Sequence, residues 1–340
     1  MKTKYLLGIC ALAIGSVAMT SCDDDDTYDV VGNPDTLVYV NIAGDFPEGM
    51  PKNSFTYVLY HTPIGPVVME EPGDIEIDVM CTKNAPSDMQ VTLEVAPDMS
   101  VPGYATIPAD AGITVTLASN TLTIPAGKNR SDDKIAVTVN TANADWSKLT
   151  EKAYLLPIRI SSASGATPSR SVGCAYIGVL TDVKAGMVNE SATQVTGTQI
   201  TDKTGWTASY YVPATGAGAD CTDKLFDGNN NNYAYYVPNH ADATNEEVIT
   251  TFDLGKVYTL SSVQFNYFGN YYAIKDGTIE TSVDGEEWTV QGTRTWSRLS
   301  RNCAFAFWAP FQMRYVRLTS HSFYGGTGEG QAMAEFWAYE

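Results

Sequence analysis

Four segments in the C-terminal half of this sequence place tyrosine or tryptophan beside arginine, asparagine or histidine. They are Tyr235-Tyr236-Val237-Pro238-Asn239-His240, Asn270-Tyr271-Tyr272, Trp296-Ser297-Arg298-Leu299-Ser300-Arg301-Asn302 and His321-Ser322-Phe323-Tyr324-Gly325-Gly326. The C–H face of a sugar ring stacks on an aromatic side chain, while arginine, asparagine and histidine hydrogen-bond the hydroxyl groups. These residue types therefore indicate a carbohydrate-binding surface. The candidate contact residues are Tyr236, His240, Tyr271, Trp296, Arg298, Arg301 and Tyr324.

Each candidate contact residue also has an ordinary alternative. Either Tyr235 or Tyr236 can point into a core if the segment is a strand, and single exposed aromatic side chains are common on protein surfaces. The two arginines can simply offset nearby carboxylates. The spread over four segments favours a shared pocket more than it favours any single residue.

The sequence holds little material for other chemistry. Its three histidines are far apart, and no two cysteines have the C-x-x-C spacing of zinc or redox sites. Lys plus Arg number 21 and Asp plus Glu number 39, so the net charge is −18, which disfavours nucleic acid as the main ligand. Two small β domains leave no room for a catalytic barrel, so we expect no enzyme.

The strands that position the four segments lie in residues 190–340, which hold 26 of the 37 aromatic residues. Short motifs follow one another there in order: Leu225-Phe226-Asp227-Gly228, Phe252-Asp253-Leu254-Gly255, Arg314-Tyr315-Val316-Arg317-Leu318 and Ala334-Glu335-Phe336-Trp337-Ala338-Tyr339. This series resembles the discoidin domain, also called the F5/8 type C domain, and its bacterial carbohydrate-binding relatives. The resemblance implies an antiparallel jelly-roll sandwich with its ligand loops at one end.

The same resemblance implies a structural Ca²⁺ between the Asp227-Gly228 loop and the last strand. Calcium takes oxygen ligands from carboxylates, amides and backbone carbonyls. The implied ligands are Asp227, Asn230, Asn232 and Glu335, with Asn232 in the place where the family usually has a threonine. The alternative is an asparagine-rich turn without an ion.

Residues 35–183 alternate apolar and polar side chains with a period of two, as in Ile75-Glu76-Ile77-Asp78-Val79. Such alternation predicts strands with one buried face, and turn residues about every ten positions favour an antiparallel sandwich. Leu122–Lys128 and Tyr154–Ile160 resemble the immunoglobulin-like N-terminal domain of Bacteroidetes surface lipoproteins. The overall prediction is an all-β chain with an Ig-like platform over 35–183 and a discoidin-like jelly roll over 190–340.

The first residues predict an address outside the cell. Residues 1–21 have a basic start and a short apolar stretch typical of a secretory signal, and Met19-Thr20-Ser21-Cys22 resembles a bacterial lipobox. Residues 22–34 form an acidic tether that begins with four aspartates, similar to the surface-export signal of Bacteroidetes lipoproteins. An ordinary cleaved signal followed by a plain linker is the alternative. The prediction is lipidation at Cys22 and a surface-exposed place on the outer membrane.

Together these features favour a non-catalytic, surface-anchored lipoprotein that captures a polysaccharide or host glycan for a glycan-utilisation system. An outer-membrane importer and glycoside hydrolases are the expected partners. The alternative is an adhesin that binds a protein or lipid through the same loops. Tyrosine- and asparagine-rich loops on an acidic chain favour sugar over lipid.

Overall fold

The computed structural model describes residues 35–42, 46–236, 247–297, 300–324 and 330–340. Regular structure in these residues consists of strands and a few short helical turns, so the predicted all-β class is confirmed. The signal segment, Cys22 and the acidic tether lie outside the described residues. No helix in the described ranges is long and apolar enough to cross a membrane.

The N-terminal domain is built from strands whose inward residues are mainly Val, Ile and Leu. These strands are β1 (Leu37–Asn41), β2 (Ser54–Thr62), β3 (Gly65–Glu70), β4 (Ile75–Cys81), β5 (Met89–Val95), β6 (Ala105–Thr106), β7 (Thr114–Leu117), β8 (Thr121–Ile124), β9 (Ile135–Asn140), β10 (Ala153–Ala163), β11 (Thr167–Pro168) and β12 (Cys174–Val183). Single helical turns cover Ala109–Ala111 and Trp146–Lys148. Ile75, Ile77 and Val79 are buried as the alternation predicts, whereas Asp78 is also buried and accepts a hydrogen bond from Arg130 Nε.

Two sheets share the N-terminal core. Their strand orders are β11-β1-β4-β9-β7 and β3-β2-β12-β10-β5-β8, with β6 beside β10. β2 and β12 pair in parallel, from Ser54 opposite Tyr176 to His61 opposite Val183. The expectation of an antiparallel sandwich is therefore wrong for this pair, and β1 with β11 and β6 with β10 are parallel as well. Period-two alternation could not reveal this, because parallel and antiparallel strands have the same side-chain period.

The C-terminal domain has a more aromatic core. Its strands are β13 (Thr207–Val212), β14 (Ala217–Asp220), β15 (Ala234–Tyr236), β16 (Val248–Tyr267), β17 (Ile274–Ser282), β18 (Thr289–Thr295), β19 (Asn302–Phe323) and β20 (Gln331–Tyr339), with helical turns at Thr222–Leu225 and Asn270–Tyr272. The strand order is β14-β13-β16-β19-β17-β18, and β20 lies beside β16 and β15.

The long strand β16 folds around this core. Phe252 and Phe265 are thirteen positions apart, and a straight strand would separate them by about 43 Å. Their ring centroids are 5.6 Å apart. The fold is possible because the ladder with β19 shifts register between Asp253 and Tyr258, and a bulge of this kind bends a strand. The start and the end of β16 are thereby brought to the same end of the domain.

The segment that joins the domains pairs with the C-terminal sheet. Val188 forms a bridge with Phe307, and the N–H of Asn189 donates to the carbonyl of Ala306 at 2.8 Å. Across the junction, the rings of Tyr60 and Trp308 meet edge to face at 4.9 Å. The connection is thus an additional strand-like contact with the C-terminal domain.

Candidate functional site

The strand ends that carry the polar and aromatic segments meet at one end of the C-terminal domain, because β16 is folded. The N–H of Tyr267 donates to the carbonyl of Arg301 at 2.9 Å, and the N–H of Tyr324 donates to the carbonyl of Ala273 at 3.0 Å. The segments around Tyr271, Arg301 and Tyr324 are therefore neighbours, as a shared site requires.

Trp296 lies beneath this end of the domain. Its side chain is only 9% exposed and meets Phe305 edge to face at 5.2 Å. The hydroxyl of Tyr324 donates to the carbonyl of Trp296 at 2.6 Å, and the Lys275 ammonium lies 5.6 Å from the Tyr324 ring centroid. The prediction that Trp296 contacts ligand is therefore wrong in this structure, because its side chain packs into the core, whereas the Tyr324 side chain is half-buried.

Tyr235 and Tyr236 point in opposite directions because they are consecutive residues of β15. Tyr236, the predicted contact residue, is 8% exposed, and its ring packs 6.2 Å from that of Tyr210. Tyr235 is 41% exposed. The structure therefore favours Tyr235 over Tyr236 for ligand contact, which corrects the choice made from the sequence.

Exposed Tyr235 belongs to a group of neighbouring rings, which we call the aromatic platform. Its members are Tyr233, Tyr235, Phe268 and Tyr272, and Tyr271 adjoins Tyr272 in the helical turn Asn270–Tyr272. Ring centroids are 4.5 Å apart for Tyr233–Phe268, 5.8 Å for Tyr235–Tyr272 and 6.0 Å for Phe268–Tyr272. Phe268 is 38% exposed and Tyr271 57% exposed. The sequence interpretation included only Tyr271, because the other rings become neighbours only when β15 and the end of β16 both pair with β20.

The remaining predicted contact residues are polar. The Arg301 side chain is exposed. The backbone hydrogen bond from Tyr267 to Arg301 holds it beside the end of β16. His240 and Arg298 lie outside the described residues.

His321 lies on a strand and is held on both sides. Its Nδ1 is 2.9 Å from the Glu247 carboxylate and its Nε2 is 2.7 Å from the Thr278 hydroxyl, which in turn is 2.7 Å from the Thr293 hydroxyl. A carboxylate, an imidazole and a hydroxyl occur here in the order used by hydrolases. The hydroxyl is shared between two strands, however, so the network links β17, β18 and β19.

The implied calcium loop is a compact turn around Asp227. One carboxylate oxygen of Asp227 accepts from the N–H of Asn229 at 2.8 Å, and the other accepts from the Asn232 amide nitrogen at 2.7 Å. The same Asn232 nitrogen donates to the carbonyl of Asp223 at 3.1 Å. Partial burial opposes ionisation of Asp227, but these two donors hold its pKa below the usual value. Asn230 is exposed.

Glu335 is the fully buried carboxylate opposite this turn. Its Oε2 accepts from the Lys203 ammonium at 2.8 Å. Its Oε1 is buried and makes no regular hydrogen bond within the described ranges. Burial raises the pKa of Glu335, Lys203 opposes that rise, and the Asp227 carboxyl adds to it.

The donor set fits a hard cation in part. Buried Glu335 Oε1, which makes no regular hydrogen bond in the described part of the chain, lies near the backbone of Gly228 and the Asp227 carboxyl, and paired carboxylates are ligands that Ca²⁺ takes. Among the described residues no cluster of three or more His, Cys, Asp or Glu side chains is suited to a metal. Amide and backbone oxygens would therefore have to complete the ligand set.

Comparison with known proteins identifies both domains. A family model of an N-terminal domain matches residues 34–167, and the model of the F5/8 type C domain matches residues 205–336. No curated protein matches the chain.

Solved bacterial structures also match the chain. A crystal structure of a two-domain protein of unknown function from Bacteroides fragilis is 15% identical, covers 94% of this chain and 99% of its own, and has a TM-score of 0.38. The family 32 carbohydrate-binding module of Clostridium perfringens NanJ, solved with galactose, is 24% identical, covers 42% of this chain and 98% of its own, and has a TM-score of 0.34. A module of a C. perfringens GH89 enzyme, solved with GalNAc-β-1,3-galactose, is 16% identical, covers 40% and 95%, and has a TM-score of 0.33. By their match to the family model, residues 205–336 of this chain belong to the F5/8 type C, or discoidin, family, and residues 34–167 match the model of a separate family of N-terminal domains.

Proposed function

We propose that the C-terminal domain is a non-catalytic glycan-binding module and that the aromatic platform is its ligand surface. The observation that carries this proposal is the group of neighbouring rings at the surface, in which Tyr235 and Phe268 are 41% and 38% exposed. Tyr271, next in sequence to Tyr272, adds a side chain that is 57% exposed. A contiguous exposed apolar patch commonly marks a ligand or partner site. Sugar rings offer C–H faces that fit such a surface.

Charged donors lie at the edge of the platform. Lys275 and Arg301 flank the loop that carries Tyr271, and both can donate to sugar hydroxyls. The whole chain carries a net charge of −18, so highly sulfated or uronic polysaccharides are repelled at long range. We therefore expect a neutral glycan as the ligand.

The proposal includes no catalysis. Burial raises the pKa of Cys221 to about 12 and also raises that of Cys303, so neither thiol ionises near neutral pH. The hydroxyl of Thr278 is 2.7 Å from that of Thr293 on the neighbouring strand, so it belongs to a hydrogen-bond network between strands. These observations support a binding role.

We place this module on the cell surface as part of the same proposal. Cys22 would carry the lipid, and the aspartates that follow Cys22 would form a tether to the N-terminal domain. The N-terminal domain would present the C-terminal domain to glycans near an importer and its hydrolases. Metabolic labelling with a fatty-acid analogue tests the anchor. Labelling of the wild type and its loss in Cys22→Ala are expected, and equal labelling of both would contradict it.

A structural Ca²⁺ also remains a proposal. Asp227 and Glu335 would hold it, with amide oxygens of Asn230 and Asn232 as further donors. Such an ion would lie between the Asp227 turn and β20 and would share the Glu335 carboxylate with the Lys203 ammonium.

A glycan array tests the binding proposal with the soluble chain that begins after Cys22. Galactose- and GalNAc-terminated glycans are suitable first probes, together with neutral plant and host polysaccharides. Binding to a defined set of neutral glycans is expected. A folded chain that binds none of them contradicts the proposal and favours the adhesin alternative, because an aromatic surface also suits a protein partner.

A further inference from the structure

Lys203 is a buried cation in the C-terminal domain. Its side chain is 8% exposed, and its ammonium donates to Glu335 Oε2 at 2.8 Å. The ammonium also lies 3.6 Å from the centroid of the Trp337 ring and 5.8 Å from that of Phe226. One positive charge is thus enclosed by a carboxylate and two aromatic faces.

The position of Lys203 links distant parts of the domain. Lys203 precedes β13, and its carbonyl accepts a hydrogen bond from the N–H of Trp206 at 3.1 Å. Its ammonium contacts Glu335, which lies 132 positions later on the last strand. A buried carboxylate without a counter-charge is strongly destabilising, and removal of one member of a buried pair is costly. The ammonium of Lys203 supplies the counter-charge that the buried Glu335 carboxylate needs.

We propose that Lys203 is a built-in cation that neutralises Glu335 and fixes its orientation, so that the C-terminal domain keeps its fold without a bound divalent cation. With Oε2 bound by Lys203, only Oε1 of Glu335 remains for the Asp227 turn. A metal ion at that turn would then bind beside a Glu335 carboxylate whose charge Lys203 already neutralises. This inference does not depend on glycan binding, and a blank glycan array would leave it unchanged.

Thermal unfolding of the soluble chain tests the inference, in excess calcium and again in excess EDTA. Five of the six tryptophans lie after residue 190, so tryptophan fluorescence follows the C-terminal domain. We expect the wild-type transition to differ by less than about 2 °C between the two conditions. Lys203→Met, which keeps the apolar stem, should unfold about 10 °C lower in EDTA. Calcium should raise its transition more than that of the wild type, because an uncompensated carboxylate pair attracts the ion more strongly.

Two outcomes would overturn the inference. One is a wild-type transition that falls in EDTA as far as that of Lys203→Met, which would show that the metal and not Lys203 provides the positive charge. The other is a Lys203→Met transition equal to that of the wild type in EDTA.

Two further variants keep the inference testable if Lys203→Met does not fold. Lys203→Met combined with Glu335→Gln removes both charges and should recover most of the lost stability. A double variant as unstable as Lys203→Met alone would contradict the neutralising role. Lys134→Met, which breaks an exposed pair with Glu76, is the matched control and should leave the transition unchanged.

Discussion

The two domains of this chain build their cores and place their charges differently. The largest fully buried side chains of the N-terminal domain are Leu59, Ile77, Met89, Leu93, Ile124 and Ile135, whereas those of the C-terminal domain are Tyr267, Phe252, Phe265, Phe305, Phe323 and Phe336. Ion pairs in the described part of the N-terminal domain have at least one well-exposed partner, while Lys203 and Glu335 are both buried. The platform of exposed rings also belongs to the C-terminal domain. The N-terminal core is thus mainly aliphatic, whereas the C-terminal domain combines an aromatic core with a buried ion pair.

The largest expected effect tests the aromatic core. Phe336 is fully buried and stacks on Phe252 with centroids 4.3 Å apart. Phe336→Ala should destabilise the C-terminal domain by about 3–5 kcal/mol, because it leaves a cavity. Calorimetry should show a lowered C-terminal transition and an unchanged N-terminal one. A joint shift of both transitions would show that the two cores do not unfold separately.

A smaller effect concerns Asp253, which accepts from Arg314 Nε at 2.8 Å and from its Nη2 at 2.9 Å. Arg314 holds the pKa of Asp253 below 3.8, so this group stabilises the fold above that pH and loses its contribution as the pH falls through its folded pKa. Asp253→Asn should cost about 1–2 kcal/mol at pH 7, since partial exposure screens the pair. Unfolding curves of both chains should converge in acid. A constant gap at all pH values would contradict the ionic origin.

The hydrogen bond between Tyr324 and Trp296 gives a third prediction. Tyr324→Phe removes only the hydroxyl that donates to the carbonyl of Trp296. The expected loss is about 1 kcal/mol in the free energy of unfolding, because one partly buried acceptor is left without its donor. Denaturant unfolding of this variant beside Tyr211→Phe, an exposed tyrosine on β13, checks it. An equal loss in both variants would assign the effect to something other than this hydrogen bond.

The smallest effect should come from the surface pairs of the N-terminal domain. Lys134 and Glu76 are 51% and 52% exposed, and solvent screens such pairs so that they contribute little to stability. Lys134→Met should therefore leave the unfolding transition of the N-terminal domain nearly unchanged. A loss as large as the one expected for Lys203→Met would remove the contrast between the two domains.

The fold could be predicted further from sequence than the site could. Alternation identified strands such as β4, and the ordered motifs around Asp227 and Glu335 predicted the C-terminal family, because both signals are local or follow chain order. The parallel pairing of β2 with β12 was missed, since strand direction leaves no mark on the alternation.

Site residues escaped prediction where a contact depends on distant strands. The choice between Tyr235 and Tyr236 requires knowledge of which face of β15 meets the core. Phe268 becomes part of the platform only through the pairing of the end of β16 with β20. Lys203 lies in an unremarkable segment, and its buried partner is 132 residues away.

The assignment of the aromatic platform as the glycan site is tested most directly by its affinity for a ligand from the array, measured by calorimetric titration. Tyr271→Ala and Phe268→Ala should each weaken binding by about 1–2 kcal/mol, which is roughly 5- to 30-fold in Kd, and both chains should remain folded. Tyr211→Ala removes a tyrosine that is 49% exposed outside the platform, and its Kd should equal that of the wild type. Unchanged affinity in Tyr271→Ala and Phe268→Ala would contradict the assignment of the aromatic platform as the glycan site.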